Sequence, residues 1–303
     1  MMTMFARRSP KLILALASTL LIGGALDAQP LRQRMTGRQA APAPQDGRAM
    51  TYGQNPLQTL DYWPGKGAGA PLVLFVHGGG WKRGDKNNAT GATKIDHYTG
   101  LGYAFASINY RLVPDASVEQ QAQDVADALA YLRKQAGTLG FDPARIVLMG
   151  HSAGAHLVAL VGTDMRYFAK AGLKADAVKG IIPLDGAAYD VPTQMQDAGR
   201  FMAGTYAQAF GTDPARQKAL SPTLQAAKPN AADFLILHID RADGTAQSEG
   251  LAAALKAAGT PAQVHALPGR GLRGHMEINR SMGDPAYPGT PIVDAYLKRL
   301  FGQ

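Results

Sequence analysis

The stretch RIVLMGHSAGAHLVALVG, residues 145–162, decides how the chain is read. Arg145 to Met149 is a short apolar run of the kind a buried strand needs, and Ser152 to Gly162 continues with apolar residues at helical spacing. Between them Gly150-His151-Ser152-Ala153-Gly154 matches the G-x-S-x-G pattern. In a strand-turn-helix context the glycines let a cramped turn lift the serine hydroxyl to the helix start, so Ser152 is the candidate nucleophile. A pentapeptide also arises by chance in a chain with 35 Gly, so its meaning depends on its surroundings.

From Pro71 onward short apolar runs alternate with helical patterns. Leu72 to Val76, Tyr103 to Ile108, Ile146 to Met149, Val178 to Pro183, Phe234 to Ile239 and Gln263 to Leu267 read as strands. Residues 118–135, 152–162, 246–258 and 292–301 read as helices, the first with apolar residues at 118, 122, 125, 129 and 132. Strands buried on both faces and separated by helices predict an α/β fold, a mostly parallel central sheet flanked by helices on both faces. Residues 51–63 could add an antiparallel edge, so the folded domain is expected over 51–303. The long segment 185–230, rich in Gly, Pro and Gln and patchily helical between Met195 and Leu220, reads as a lid or pocket wall, or else as a surface excursion.

The first residues stand apart from that domain. Arg7, Arg8 and Lys11 precede an apolar stretch from Leu12 to Leu21 and then small residues up to Ala28, the order of an export signal over 1–28. The apolar run is short for a membrane span, which needs about 20 residues, so no stable span is expected once the signal is cleaved, and the protein is expected in the periplasm or outside the cell. Residues 29–50 lack apolar periodicity, contain Ala-Pro-Ala-Pro, and read as a flexible linker. Most of the net charge of +8 lies in the first 50 residues, where Arg7, Arg8, Lys11, Arg32, Arg34, Arg38 and Arg48 oppose only Asp27 and Asp46. The rest has no basic run with interleaved aromatics, which argues against a nucleic-acid partner. The absence of cysteine excludes disulfides, thiolate metal ligands and a cysteine nucleophile.

A second motif lies at the end of the strand at 72–76, in His77-Gly78-Gly79-Gly80-Trp81. Three glycines after a buried strand let backbone N–H groups approach a ligand, as a developing oxyanion requires. Gly79 and Gly80 are the candidate donors, with the N–H of Ala153 as a third.

A serine nucleophile needs a base, and the base an orienting acid. Among the 7 His, His77 and His151 belong to the two motifs, His156 lies one turn into the following helix, and His97, His238 and His265 fall in or beside predicted elements. His275 follows Pro268-Gly269-Arg270-Gly271-Leu272-Arg273-Gly274, which reads as a flexible loop after the last strand, and is the candidate base. Chain order then asks for an acid between them, at a strand end. The strand at 234–239 runs into Asp240-Arg241-Ala242-Asp243, where Asp243 lies farther out in the turn and Asp240 is held in reserve. Asp185 and Gly186 are placed to line the pocket, Asp124 and Asp127 to be solvated or capping groups, and Arg83 and Asp85 to brace the glycine loop. No H-E-x-x-H spacing and no phosphate loop occurs, so neither metal nor cofactor is expected.

Together these residues resemble α/β-hydrolase-fold esterases of the HGGG type, similar to hormone-sensitive-lipase-like carboxylesterases and the smaller BD-FAE-type esterases, over roughly residues 60 to 300. The resemblance rests on HGGGW at 77–81 followed by Arg83-Gly84-Asp85-Lys86, on SINYRLVPDA at 107–116, on FDPARIVLMGHSAGAHL at 141–157 and on His275. It implies Ser152 as nucleophile, His275 as base, Asp243 as its partner, and Gly79, Gly80 and Ala153 as the oxyanion hole. It implies carboxylic ester hydrolysis through an acyl-enzyme, with an arylformamidase similar to kynurenine formamidase, or an acetyl or feruloyl esterase acting on plant polysaccharide, as alternatives. An inactive hydrolase fold serving as a binding protein is the remaining reading, against which the joint presence of Ser152, His275 and an acid argues. Members usually carry His-Gly-x-x-Asp and Val-Pro after the strand at 234–239. Here His238-Ile239-Asp240-Arg241-Ala242-Asp243 lacks the glycine and the Val-Pro and shifts the acid by one place.

Overall fold

The structure, a computed structural model, describes residues 47–87 and 90–302. The expected signal segment 1–28 and linker residues 29–46 lie outside the described residues.

Eight strands form one sheet: β1 (Arg48–Thr51), β2 (Thr59–Trp63), β3 (Ala70–Val76), β4 (Ala104–Ile108), β5 (Phe141–His151), β6 (Gly180–Leu184), β7 (Phe234–Asp240) and β8 (Ala262–Arg270), in the order β1-β2-β4-β3-β5-β6-β7-β8. The β1/β2 and β2/β4 pairs are antiparallel and the others parallel, so the edge expected over 51–63 is present. One boundary moves. Arg48 to Met50, expected to be linker, belong to β1, with Arg48 paired to Tyr62 and Met50 to Leu60. Hydrogen bonding to β2 recruits them despite their lack of apolar periodicity.

Strand β3 is buried at every position, which is why its sequence runs apolar without alternation. Leu72, Leu74 and Val76 face one layer, and Val73 and Phe75 the other. The first layer contains α2 (Val118–Leu139), α3 (Ala153–Thr163) and α9 (Ala242–Ala257); the second contains α1 (Ala92–Gly100), α10 (Gly271–Ser281) and α11 (Gly289–Phe301). Each fully buried Leu, Val, Ile or Phe contributes about 1.5–3 kcal/mol, and with no cysteine in the chain no disulfide can add to that core.

Helix α2 begins with a capping box, Ser117 accepting from the Gln120 N–H while the Gln120 side chain accepts from Ser117 N–H, and it ends at Gly140 in the left-handed region. It thus runs one turn beyond the expected 135. Asp124, expected to be solvated or capping, is buried in it. Its carboxylate takes the Arg111 Nη2 at 2.6 Å and Nε at 2.9 Å, together with the Gln58 amide at 2.8 Å. A carboxylate on the apolar face of α2 is tolerable only because that fork neutralises it.

The segment 185–230 folds into four short helices, α5 (Val191–Asp197), α6 (Arg200–Phe210), α7 (Pro214–Ala219) and α8 (Pro222–Gln225); α4 (Arg166–Lys170) precedes it. Arg216 on α7 grips Glu119 of α2 through Nε at 2.7 Å and Nη2 at 2.8 Å. Ser221 Oγ accepts from the Val191 N–H at 2.9 Å and donates to the Gln217 carbonyl at 2.7 Å. Among the described residues no helix is long and apolar enough to cross a membrane.

Because β4 and β5 lie on either side of β3, the strand order reverses there, and ligands gather outside the carboxyl ends of strands at such a point. The glycine motif leaves β3 and the serine motif leaves β5 at that same point.

Candidate active site

Ser152 follows the last residue of β5 and caps α3, with φ 55° and ψ −118°. Positive φ at a residue carrying a Cβ is strained, and here the surroundings enforce it. Its N–H donates to Leu184 O on β6 at 3.1 Å, and its carbonyl accepts from His156 N–H at 3.1 Å. Both motif glycines are required by close approach. A Cβ on Gly154 would collide with the carbonyl oxygens of Val76 and His77, and one on Gly150 with the backbone of Gly154. The helix therefore sits hard against β3 and its loop.

That contact brings the two motifs together. A Cβ on Gly78 would stand 2.9 Å from both the His151 carbonyl and the Ser152 Cβ. Gly79 and Gly80 have φ of 131° and 61°, which side chains rarely adopt. Their N–H groups donate to no acceptor among the described residues, and the N–H of Ala153 is the first of helix α3, where no intrahelical partner exists. The positive end of α3 adds to that donor field.

The residues behind the loop fix it in place. Trp81 Nε1 donates to His156 Nδ1 at 3.3 Å, and His156 Nε2 donates to Leu220 O at 2.8 Å. The Trp81 ring also meets Phe210 of α6 at 4.8 Å and Tyr206 at 5.9 Å. Thr205, also on α6, comes close enough that a Cβ on Gly80 would stand 3.0 Å from its methyl. His156 therefore joins loop, helix and insertion, and the insertion packs over the glycine loop.

His275 lies on helix α10, not on a flexible loop. Gly269 and Gly274 before it serve close packing: a Cβ on Gly274 would meet the backbone of Gly269 at 2.7 Å and Ile239 at 2.9 Å, so α10 is drawn onto the ends of β7 and β8. His275 Nε2 is 3.0 Å from Ser152 Oγ. His151 Nε2 donates to the His275 main-chain carbonyl at 2.8 Å, with the two rings 4.5 Å apart. Burial, and after it the nearness of His275, push His151 well below the usual histidine range, so it is neutral and acts as a donor.

The group facing His275 Nδ1 is Asp185, whose Oδ2 lies 2.5 Å away. This corrects the sequence expectation, which gave that place to Asp243 with Asp240 in reserve. Asp243 is turned to Arg241 Nη1 at 3.0 Å and to Gln194 Nε2 at 3.4 Å. Asp240 is exposed and pairs with Arg270 at 3.1 Å. The turn after β7 is short, α9 starting at Ala242, so neither carboxylate is delivered to the imidazole. Asp185 instead leaves β6, the strand beside β5, with φ 43° and its N–H held by Leu237 O at 2.7 Å. Its side chain is wholly buried, which alone would raise its pKa. The His275 hydrogen bond, the Arg241 charge and the Ile239 N–H at 3.2 Å outweigh that and hold the carboxyl below its ordinary range. The signal available in the sequence was Leu184-Asp185-Gly186, an acid followed by glycine at the carboxyl end of an apolar run.

Glu277 accepts from Ser281 on its own helix, and Asp85 takes Asn109 Nδ2 at 2.9 Å and Asn87 N–H at 2.8 Å, which ties the chain after the glycine loop to the end of β4. Among the described residues no cluster of three or more His, Asp or Glu is placed to hold a metal ion.

His77 and His156 are fully buried, and burial lowers both from 6.5 to about 4. In the unfolded chain they protonate near 6.5, so their contribution to stability is present above that pH and is lost as pH falls toward 4. The unfolding free energy is expected to fall over that window by up to about 3 kcal/mol per histidine when fully developed, read as a drop in the urea midpoint. His156→Gln, which keeps a donor and an acceptor, is expected to flatten part of the slope. An unchanged midpoint between pH 7 and 4.5 contradicts the neutral assignment.

A family model described as BD-FAE matches residues 61–255. Esterase LipC of Mycobacterium tuberculosis is 34% identical over 144 residues, 44% of this chain and 36% of that protein. A probable isoprenylcysteine alpha-carbonyl methylesterase of Oryza sativa subsp. japonica is 36% identical over 116 residues, 37% of this chain and 27% of that protein. The chain thus spans about a third of the length of the curated relatives it matches. Esterase B from Lactobacillus rhamnosis superposes with a TM-score of 0.67 at 22% identity over 90% of each chain. An esterase from Thermogutta terrifontis superposes with a TM-score of 0.67 at 21% identity, covering 88% of this chain and 97% of that one. These likenesses establish the α/β-hydrolase fold, and with the family match over more than half its length the chain belongs to the BD-FAE family.

Proposed function

We propose that the protein is a serine hydrolase of carboxylic esters, with Ser152 as nucleophile, His275 as general base and Asp185 as the acid that orients it. The observation that carries this reading is the continuous run of contacts from Ser152 Oγ to His275 Nε2 at 3.0 Å and from His275 Nδ1 to Asp185 Oδ2 at 2.5 Å. His275 takes the Ser152 proton as the oxygen attacks the ester carbonyl, and the carbonyl oxygen becomes the oxyanion held by the N–H groups of Gly79, Gly80 and Ala153. The imidazolium returns that proton to the leaving alcohol, and water repeats the cycle on the acyl-enzyme. Asp185 keeps the proton on Nδ1, leaving the Nε2 lone pair for serine.

The esterase names of the partial relatives support this chemistry. The packing of α6 against Gly80 and Trp81 supports reading the insertion as a fixed wall on one side of the glycine loop rather than a swinging lid, and with it a preference for short acyl groups. A series of p-nitrophenyl esters from acetate through butyrate to octanoate tests this, with kcat/KM expected to fall at octanoate. Turnover of N-formylkynurenine with none of these esters overturns the ester reading. The order of charged, apolar and small residues over 1–28 supports export, which amino-terminal sequencing of the mature protein checks through cleavage after Ala25 or Ala28.

A further inference from the structure

Arg241 is absent from the chemistry above, yet its guanidinium makes three contacts with the buried Asp185 carboxylate, where His275 makes one. Its Nε lies 3.2 Å from Asp185 Oδ2 and 3.4 Å from Oδ1, and its Nη2 lies 3.4 Å from Oδ1 while donating to Gly186 O at 3.0 Å. Its remaining nitrogen, Nη1, meets Asp243 at 3.0 Å. The charges therefore run in series: His275, Asp185, Arg241, Asp243. A carboxylate shared between an imidazole and a guanidinium stabilises an imidazolium less than one that serves the imidazole alone.

We propose that Arg241 is a positioning residue which fixes the Asp185 carboxylate against His275 Nδ1 and, by sharing its charge, sets where the acid limb of activity falls. Asp243 opposes it from the far end by partly neutralising the guanidinium. The inference rests on the reading of Ser152, His275 and Asp185 as the catalytic groups.

The other groups around the pair leave Arg241 and Asp243 as its adjustable charges. Tyr189 and Tyr287 face Asp185, and burial raises both hydroxyls, Tyr287 to about 12, so they stay neutral in the working range. His151 from β5 is buried and neutral. Lys94 of α1, lowered by burial to about 7, acts on His151, and Glu277 of α10 acts on Tyr287.

The test is the pH profile of kcat/KM for p-nitrophenyl acetate with the whole protein and its Arg241→Gln, Arg241→Lys, Asp243→Asn and Ser152→Ala variants. Arg241→Gln is expected to move the acid limb to higher pH by about one unit, since Asp185 then serves the imidazolium alone. Arg241→Lys keeps the charge and is expected to return the limb toward wild type, with a lower plateau because the fork to both oxygens and to Gly186 is lost. Asp243→Asn leaves the guanidinium unopposed and is expected to move the limb the other way, to lower pH. A purely structural role gives no such opposite shifts. Coincident limbs for wild type and Arg241→Gln, or shifts of the two neutralising variants in one direction, overturn the inference. If Arg241→Gln does not fold, an acid limb of Asp243→Asn that is unmoved or moves up overturns it equally. Retained turnover by Ser152→Ala instead removes the catalytic reading beneath it, so the two failures are distinct.

Discussion

Ser152→Ala is expected to lower kcat for p-nitrophenyl acetate by about 10⁴-fold or more while leaving the fold intact. In the proposed mechanism the hydroxyl oxygen is the attacking atom, and no neighbouring side chain is placed to replace it: His275 Nε2 points at the vacated position, and the nearby His151 donates to a main-chain carbonyl. Stability should change little, because the strain at φ 55° belongs to any residue with a Cβ and alanine carries it equally. Thermal unfolding checks that half of the expectation, and initial rates check the other. Activity within a factor of ten of wild type would remove Ser152 from the reaction.

Asp185→Asn is expected to cost about 10⁴-fold in kcat, of the order seen when a triad carboxylate becomes an amide. The amide can donate to Nδ1, which fixes the wrong tautomer and takes the lone pair away from serine. It also removes the charge that stabilises the imidazolium while Arg241 keeps its own, which adds to the loss. Asp243→Asn is expected to cost no more than a few-fold at the pH plateau, because Asp243 meets Arg241 and Gln194 and not the imidazole. Asp240→Asn should be nearly silent, since it opens only an exposed pair with Arg270. The reverse pattern, a large loss at Asp243 and a small one at Asp185, would return the acid to the β7 turn.

The contrast between these aspartates shows where sequence reasoning reached and where it stopped. The strands around β3 and β5 were legible because burial on both faces leaves an uninterrupted apolar run, and the glycines at 78, 79, 150 and 154 were legible because close backbone approach admits no side chain. The acid was not, because which strand end faces His275 depends on strand order, a long-range property that local pattern does not encode. Arg241, between two tempting carboxylates in sequence, engages one of them and Asp185. Helix α10 was hidden for a related reason: Gly269, Gly271 and Gly274 look like a flexible loop, whereas Gly274 is small so that the helix can press on Gly269 and Ile239. The insertion lacked a readable pattern because its anchors, Arg216 to Glu119 and His156 to Leu220, reach far along the chain.

Labelling the protein with a fluorophosphonate and locating the adduct by peptide mass spectrometry tests directly whether Ser152 is the nucleophile. The expected result is one adduct, on Ser152, absent from Ser152→Ala and much slower to form in Asp185→Asn. An adduct on another residue, or none while ester hydrolysis continues, would contradict it.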